Sequence, residues 1–113
     1  MTDVIIGVDL GGTRIRAARL DHHLHILERH ETLTKAAEGL EPTIERIKDM
    51  IRSVLPGDGA RVAGIGISAP GPLNPTTGVV VRPPNLPGWH NVLLGDILHE
   101  TFSVPVYSSC RPT

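Results

Sequence analysis

Aromatic residues are nearly missing from this chain: it has one Trp, one Tyr and one Phe among 113 residues. That argues against a base-stacking surface for single-stranded nucleic acid, which relies on aromatic rings. An excess of charge of one sign is missing too. Eleven Lys and Arg stand against 12 Asp and Glu, a formal net charge of −1, so nothing points to a nucleic-acid or acidic-membrane partner. Cysteine occurs once, at Cys110, which rules out an intrachain disulfide and favours an intracellular setting over secretion. Met1-Thr2-Asp3 is not the basic lead of a signal peptide. No apolar run approaches the ~20 residues that a membrane helix needs. There is no internal repeat, no low-complexity segment and no G-x-x-x-x-G-K-[ST] phosphate loop. The expectation is a cytoplasmic protein. Its length suggests one domain with a modest core, and its 40% hydrophobic content suits a globular fold.

What is present centres on Asp9-Leu10-Gly11-Gly12-Thr13-Arg14. Before it, Val4-Ile5-Ile6-Gly7-Val8 reads as a buried strand, and Ile15 to Leu20 reads as a second. Two glycines between two strands predict a tight hairpin whose turn uses positive φ, which Gly adopts without steric cost. Backbone N–H groups freed at Gly11 and Gly12 can point at an anion with no side chain in the way. Asp9 would then be free to hold a cation beside that anion, a phosphate-and-magnesium arrangement. The same six residues also describe an ordinary hairpin with an Asp near its turn.

His22-His23 belong to a turn, and Leu24, Ile26 and Glu28 to Glu31 return as a third strand, completing a meander. An exposed turn is preferred to a metal site for this histidine pair, because no Cys or acid joins it at ligand spacing. After a connection over Thr34 to Leu40, Pro42 suits the first turn of a helix. Ile44, Ile47, Ile51, Val54 and Leu55 recur at helical spacing, and Pro56-Gly57 ends the run. Arg61 to Ile67 predicts a central strand. Its end, Gly64-Ile65-Gly66-Ile67-Ser68-Ala69, matches the dinucleotide fingerprint G-x-G-x-x-G/A. Pro70-Gly71-Pro72 follows, however, and cannot open the helix that fingerprint requires. What remains is a proline-fixed loop with bare backbone at Gly71, of the kind that lines ligand sites. Val79 to Arg82 predicts a short strand. In the irregular loop Pro83 to Trp89 the prolines would hold Asn85 at a fixed angle, and Trp89 is read as a core plug. A short helix over Val92 to Phe102 and the start of a strand at Val104 to Tyr107 complete the chain.

Three of these pieces together resemble one family. They are Asp9 to Arg14, the Pro-Gly loop Gly64 to Leu73, and Pro83-Pro84-Asn85-Leu86-Pro87-Gly88-Trp89. In order and spacing they are similar to the ROK group (repressors, open reading frames and sugar kinases), in particular its glucokinase-type members. The resemblance implies an α/β domain of ribonuclease-H-like topology, the small lobe of the actin, hexokinase and heat-shock-70 superfamily, with a mixed sheet and flanking helices. It implies transfer of the γ-phosphoryl group of ATP to a hexose hydroxyl, with Mg2+. Asp9 would position the metal through water, Gly11, Gly12 and Thr13 would lie against the phosphates, and Gly71 and Asn85 would meet the sugar. Full-length members are expected to be homo-oligomers.

The departures matter as much. Members continue the last strand into Glu-Asn-Asp-Ala-Asn, whose Asp is the general base. Here Tyr107 is followed by Ser-Ser-Cys-Arg-Pro-Thr. Residues 1–107 are therefore expected to be an N-terminal kinase lobe and residues 108–113 a non-matching tail. No catalytic base, second lobe or His/Cys zinc motif is expected in the chain, and the lobe by itself is expected to be inactive. A sugar-responsive repressor of the same group is the rival reading. The first strand begins at about residue 3, which leaves no room before it for a helix-turn-helix. A non-catalytic domain that binds a sugar or a partner would explain the missing base equally well.

Overall fold

The computed structural model describes residues 3–57, 59–69, 73–74, 76–77, 79–80, 86, 88–89 and 91–110. Alternation of apolar and small or polar residues makes β1 (Asp3–Leu10) a strand with two unlike faces. Val4, Ile6, Val8 and Leu10 are buried on one face, while Ile5, Gly7 and Asp9 lie on the other. β2 (Arg14–Leu20) returns antiparallel to β1, and β3 (Ile26–Leu33) returns antiparallel to β2, which is the predicted meander. The turn between β2 and β3 carries His22 and His23, exposed and with ring centroids 4.1 Å apart. Asp21 closes this turn: its Oδ1 accepts the His23 and His25 N–H groups at 2.9 Å each. The bond from His25 is the main reason its carboxyl is held below the usual range.

A 3-10 turn at Ala36–Glu38 leads into α1 (Leu40–Ser53). Pro42 sits in the first helical turn, where its missing N–H costs nothing. Ile44, Ile47, Met50 and Ile51 face the sheet, with Val54 just past the last turn. Leu55, predicted to join this stripe, is 37% exposed, because the helix has ended at Ser53 and the chain has turned away. Arg19 reaches from β2 to the carbonyls of Val54 and Leu55 at 3.0 and 3.1 Å, tying the C-terminal end of α1 to the hairpin.

β4 (Arg61–Ala69) lies parallel to β1, as a crossover helix between parallel strands requires. Next come β5 (Leu73–Asn74), β6 (Val79–Val80) and β7 (Val92–Leu93), a small antiparallel sheet. α2 (Leu94–Phe102) carries the chain to β8 (Val106–Cys110), parallel to β4. The main sheet thus has the order β3-β2-β1-β4-β8; β4, expected to be central, is an interior strand between β1 and β8, and β1 takes the centre. β8 runs three residues past Tyr107, pairing Ser108, Ser109 and Cys110 with β4. Ile47, Ile51, Ile65, Leu94, Leu98, Leu86 and Trp89 form one core on the helix-covered face. Trp89 is 2% exposed, the predicted core plug. Among the described residues no helix is long and apolar enough to cross a membrane.

Candidate functional site

The connection from β1 to β2 is Gly11-Gly12-Thr13, closed by the Gly11 N–H donating to the Arg14 carbonyl at 2.9 Å. Neither glycine has positive φ, which corrects the expectation from sequence. The Gly11–Arg14 bond leaves Gly12 and Thr13 to make the reversal, and neither has positive φ, so the turn is not of the primed type. Gly11 is buried, Gly12 is half-buried and Thr13 is exposed at the rim. The carbonyls of this turn point inward. Gly11 O accepts from the Thr34 hydroxyl at 2.7 Å, and Thr13 O accepts from the Thr34 N–H at 2.8 Å. The N–H groups of Gly12 and Thr13 have no hydrogen-bond partner among the described residues. Two such N–H groups on a turn with no Cβ at Gly12 suit the oxygens of an anion.

Asp9 lies two residues before this turn on the helix-free face, its side chain 35% exposed. Register places it opposite Arg16, whose Nη1 is 3.7 Å from Asp9 Oδ2. Arg16 Nε also donates to Glu31 Oε2 at 3.1 Å. Cross-strand pairing then extends the row to Ser68 on β4 and Ser109 on β8. Glu31, Arg16, Asp9, Ser68 and Ser109 thus form one polar row across all five strands, next to the turn. Among the described residues no group of three His, Cys, Asp or Glu side chains could hold a metal ion. Asp9 supplies one carboxylate. This fits Mg2+, which dehydrates reluctantly and is commonly held by one or two carboxylates with water and substrate phosphates.

The second row of this face is Arg29, Ala18, Gly7, Gly66 and Tyr107. Its small side chains leave a broad depression of about 810 Å3, with Gly7, Ala18 and Gly66 in its floor. The turn residues Gly11, Gly12 and Thr13 do not line it. Asp9, Arg16, Glu31, Ser68 and Ser109 do line it, so the depression is continuous with the polar row, and Tyr107 is exposed at its edge.

A glycine turn after Asp9, on a meander joined through a helix to a parallel strand, lies in a chain that one family model, that of the ROK family, matches over residues 5–110. The chain belongs to the ROK family. It is 39% identical over 103 residues to a glucokinase of Thermotoga maritima, a match covering 91% of this chain and 32% of that protein. It is also 31% identical over 106 residues to a xylose repressor of Caldicellulosiruptor bescii, covering 91% of this chain and 26% of the repressor. Its structure resembles that of a ROK hexokinase from Thermus thermophilus, with a TM-score of 0.82, 32% identity and coverage of 95% of this chain and 35% of that one. It equally resembles a ROK glucokinase from Streptomyces griseus in complex with glucose and AMPPNP: TM-score 0.82, 27% identity, coverage 95% and 33%. The fold is therefore that of the ROK kinases, a mixed α/β sheet with flanking helices, as expected from sequence. The chain spans about a third of the length of the curated relatives it matches.

Of the residues singled out from the sequence of this ROK chain, Asp9, Gly11, Gly12 and Thr13 come together at one end of the sheet. Gly71 and Asn85 lie outside the described residues. Three neighbours of the turn escaped the sequence reading: Arg16, Thr34 and Arg46. Arg16 carried a signal, because Asp9 and Arg16 stand symmetrically about the turn and a hairpin register makes them a cross-strand pair of opposite charge. Thr34 and Arg46 had none, since Thr34 reaches Gly11 from 23 residues away and Arg46 reaches Thr34 from 12 residues away through the fold alone.

Proposed function

We propose that this chain is the N-terminal lobe of an ATP-dependent hexose kinase of glucokinase type. The observation that carries the reading is the pair of N–H groups at Gly12 and Thr13, without a partner among the described residues, on the turn that follows Asp9 in a ROK-family chain. Gly11, Gly12 and Thr13 hold phosphate oxygens of ATP, and Asp9 holds Mg2+ through water. When bound, the metal would neutralise charge on the phosphates, and the protein's part is to position and orient them. Arg16 steers the Asp9 carboxylate and keeps it from swinging off the row. Gly71 and Asn85 form the sugar side. The Streptomyces griseus relative, which holds glucose and AMPPNP, supports this choice of ligands. The cytoplasm, where ATP and sugars meet, is the proposed location.

The chain alone is without turnover in this reading. Where the family resemblance places Glu-Asn-Asp, this sequence has Ser108, Ser109 and Cys110, and none of these replaces a carboxylate base. Loss of a general base typically costs ~10²–10⁴ in rate. A second reading, a sugar-responsive regulator, is favoured by the similarity to the xylose repressor. A coupled ADP-release assay with glucose tests the proposal. The 113-residue chain should give no sugar-dependent ADP. A chimaera joining residues 1–107 to the unmatched two-thirds of the Thermotoga maritima glucokinase should give it, and Asp9→Asn in that chimaera should abolish it. Turnover by the chain alone overturns the missing-base argument. A folded chimaera that binds no nucleotide overturns the kinase-lobe reading.

A further inference from the structure

We propose that Thr34 is the positioning residue of the Gly11-Gly12-Thr13 turn, with Arg46 of α1 as its brace. The inference rests on the reading of that turn as a phosphate site and names the group that sets its geometry. Thr34 is one of only two polar residues buried among the described residues, at 0% exposure. A buried hydroxyl is costly unless bonded, and every polar group of Thr34 is engaged. Its hydroxyl donates to Gly11 O at 2.7 Å, and its N–H donates to Thr13 O at 2.8 Å. Its carbonyl accepts from Arg46 Nη1, and Arg46 Nη2 is held in turn by Glu38.

The consequence follows from peptide geometry. A planar trans peptide points its C=O and N–H to opposite sides. Drawing the Gly11 carbonyl toward Thr34 therefore turns the Gly12 N–H away from the protein. The turn is preset with its donor outward before any anion arrives, and no reorganisation is needed on binding. Glycine by itself would not achieve this, because it leaves the peptide free to flip. Arg46 sits in the second turn of α1, so the brace links the turn to the helix that backs the whole meander.

The test begins without ligand. Thr34→Val keeps the shape and removes the hydroxyl; Thr34→Ser keeps the hydroxyl. Amide hydrogen exchange and 15N relaxation are followed in the full chain. In Thr34→Val, protection of the Gly11 N–H should fall about tenfold, the worth of one net hydrogen bond. The amides of Ile6, Val8 and Ile65 should be unchanged, and Thr34→Ser should restore Gly11. Unchanged protection at Gly11, or a uniform loss across the sheet, overturns the proposal. Should Thr34→Val not fold, Arg46→Gln serves instead, with a smaller loss expected at Gly11 and Thr34 only. Titration of the same samples with Mg·AMPPNP separates the two claims. Amide shifts at Gly12 and Thr13 in the parent chain, weakened about tenfold in Thr34→Val, support both. A turn loosened in Thr34→Val, with no nucleotide shifts in the parent chain, upholds Thr34 as the turn's anchor and rejects the phosphate reading.

Discussion

Gly66→Ala should stabilise this protein, against the usual cost of altering a glycine near the centre of a sheet. Gly66 lies on β4 in extended conformation, facing the side of the sheet that carries no helix. A Cβ built there meets no atom within 4 Å. The substitution therefore removes unfolded-state freedom without a clash, worth about 0.4–1 kcal/mol. It also adds a side chain to a strand that glycine weakens. For a chain of this size the melting temperature should rise by on the order of 4 °C. Gly64→Ala is the control. Its Cβ would stand 3.4 Å from the Pro105 carbonyl oxygen and 3.5 Å from Tyr107 Cε2, so the same entropy gain meets a tight neighbour and the rise should be smaller. Urea and thermal unfolding at low micromolar concentration, followed by circular dichroism, measure both. Destabilisation of Gly66→Ala by more than about 1 kcal/mol would refute the reasoning, since only overpacking against a covered face gives that sign.

Ile47, fully buried where α1 meets the sheet, should cost about 2–5 kcal/mol when cut to Ala, seen as an earlier urea midpoint with an unchanged slope. Asp21 should titrate below the ordinary aspartate value of about 3.9, because the His25 and His23 N–H groups favour its charged form. Its contribution is then complete above that ordinary value and is lost only as pH falls through the lower folded one; an NMR titration of its carboxyl carbon checks this. Ile26, Leu27 and Tyr107, at 54%, 50% and 69% exposed, should drive self-association at high concentration. Light scattering should show mass rising with concentration in the parent chain and less so in Tyr107→Lys. A monodisperse monomer throughout contradicts this.

The meander, α1 and β4 were legible because each carries a long periodic signal: alternation in β1, an isoleucine stripe in α1 and an apolar run in β4. β5 and β7 were not, since two-residue strands have no period to read. Only the start of β8, at Val104 to Tyr107, was legible in the sequence, because Ser108-Ser109-Cys110 has no apolar pattern. The strand continues because β4 offers a free parallel edge, a tertiary demand that composition does not reveal. At the site, Asp9 and the glycines stood out from local motif alone. The turn's actual conformation did not, because positive φ was inferred from glycine content while the bonds to Thr34 decide which way each peptide faces. Arg16 could have been found from hairpin symmetry. Thr34 and Arg46 are visible only once α1 is folded against the end of β3.

The central claim, that the turn after β1 receives phosphate beside Asp9, is tested most directly by a 15N NMR titration of the chain with AMPPNP, with and without Mg2+. The account predicts saturable shifts centred on Gly11, Gly12 and Thr13. Those shifts should strengthen with Mg2+ in the parent chain and lose that metal dependence in Asp9→Asn. Shifts absent from the turn, or centred instead on Gly7, Ala18 and Gly66 in the open face, would contradict it.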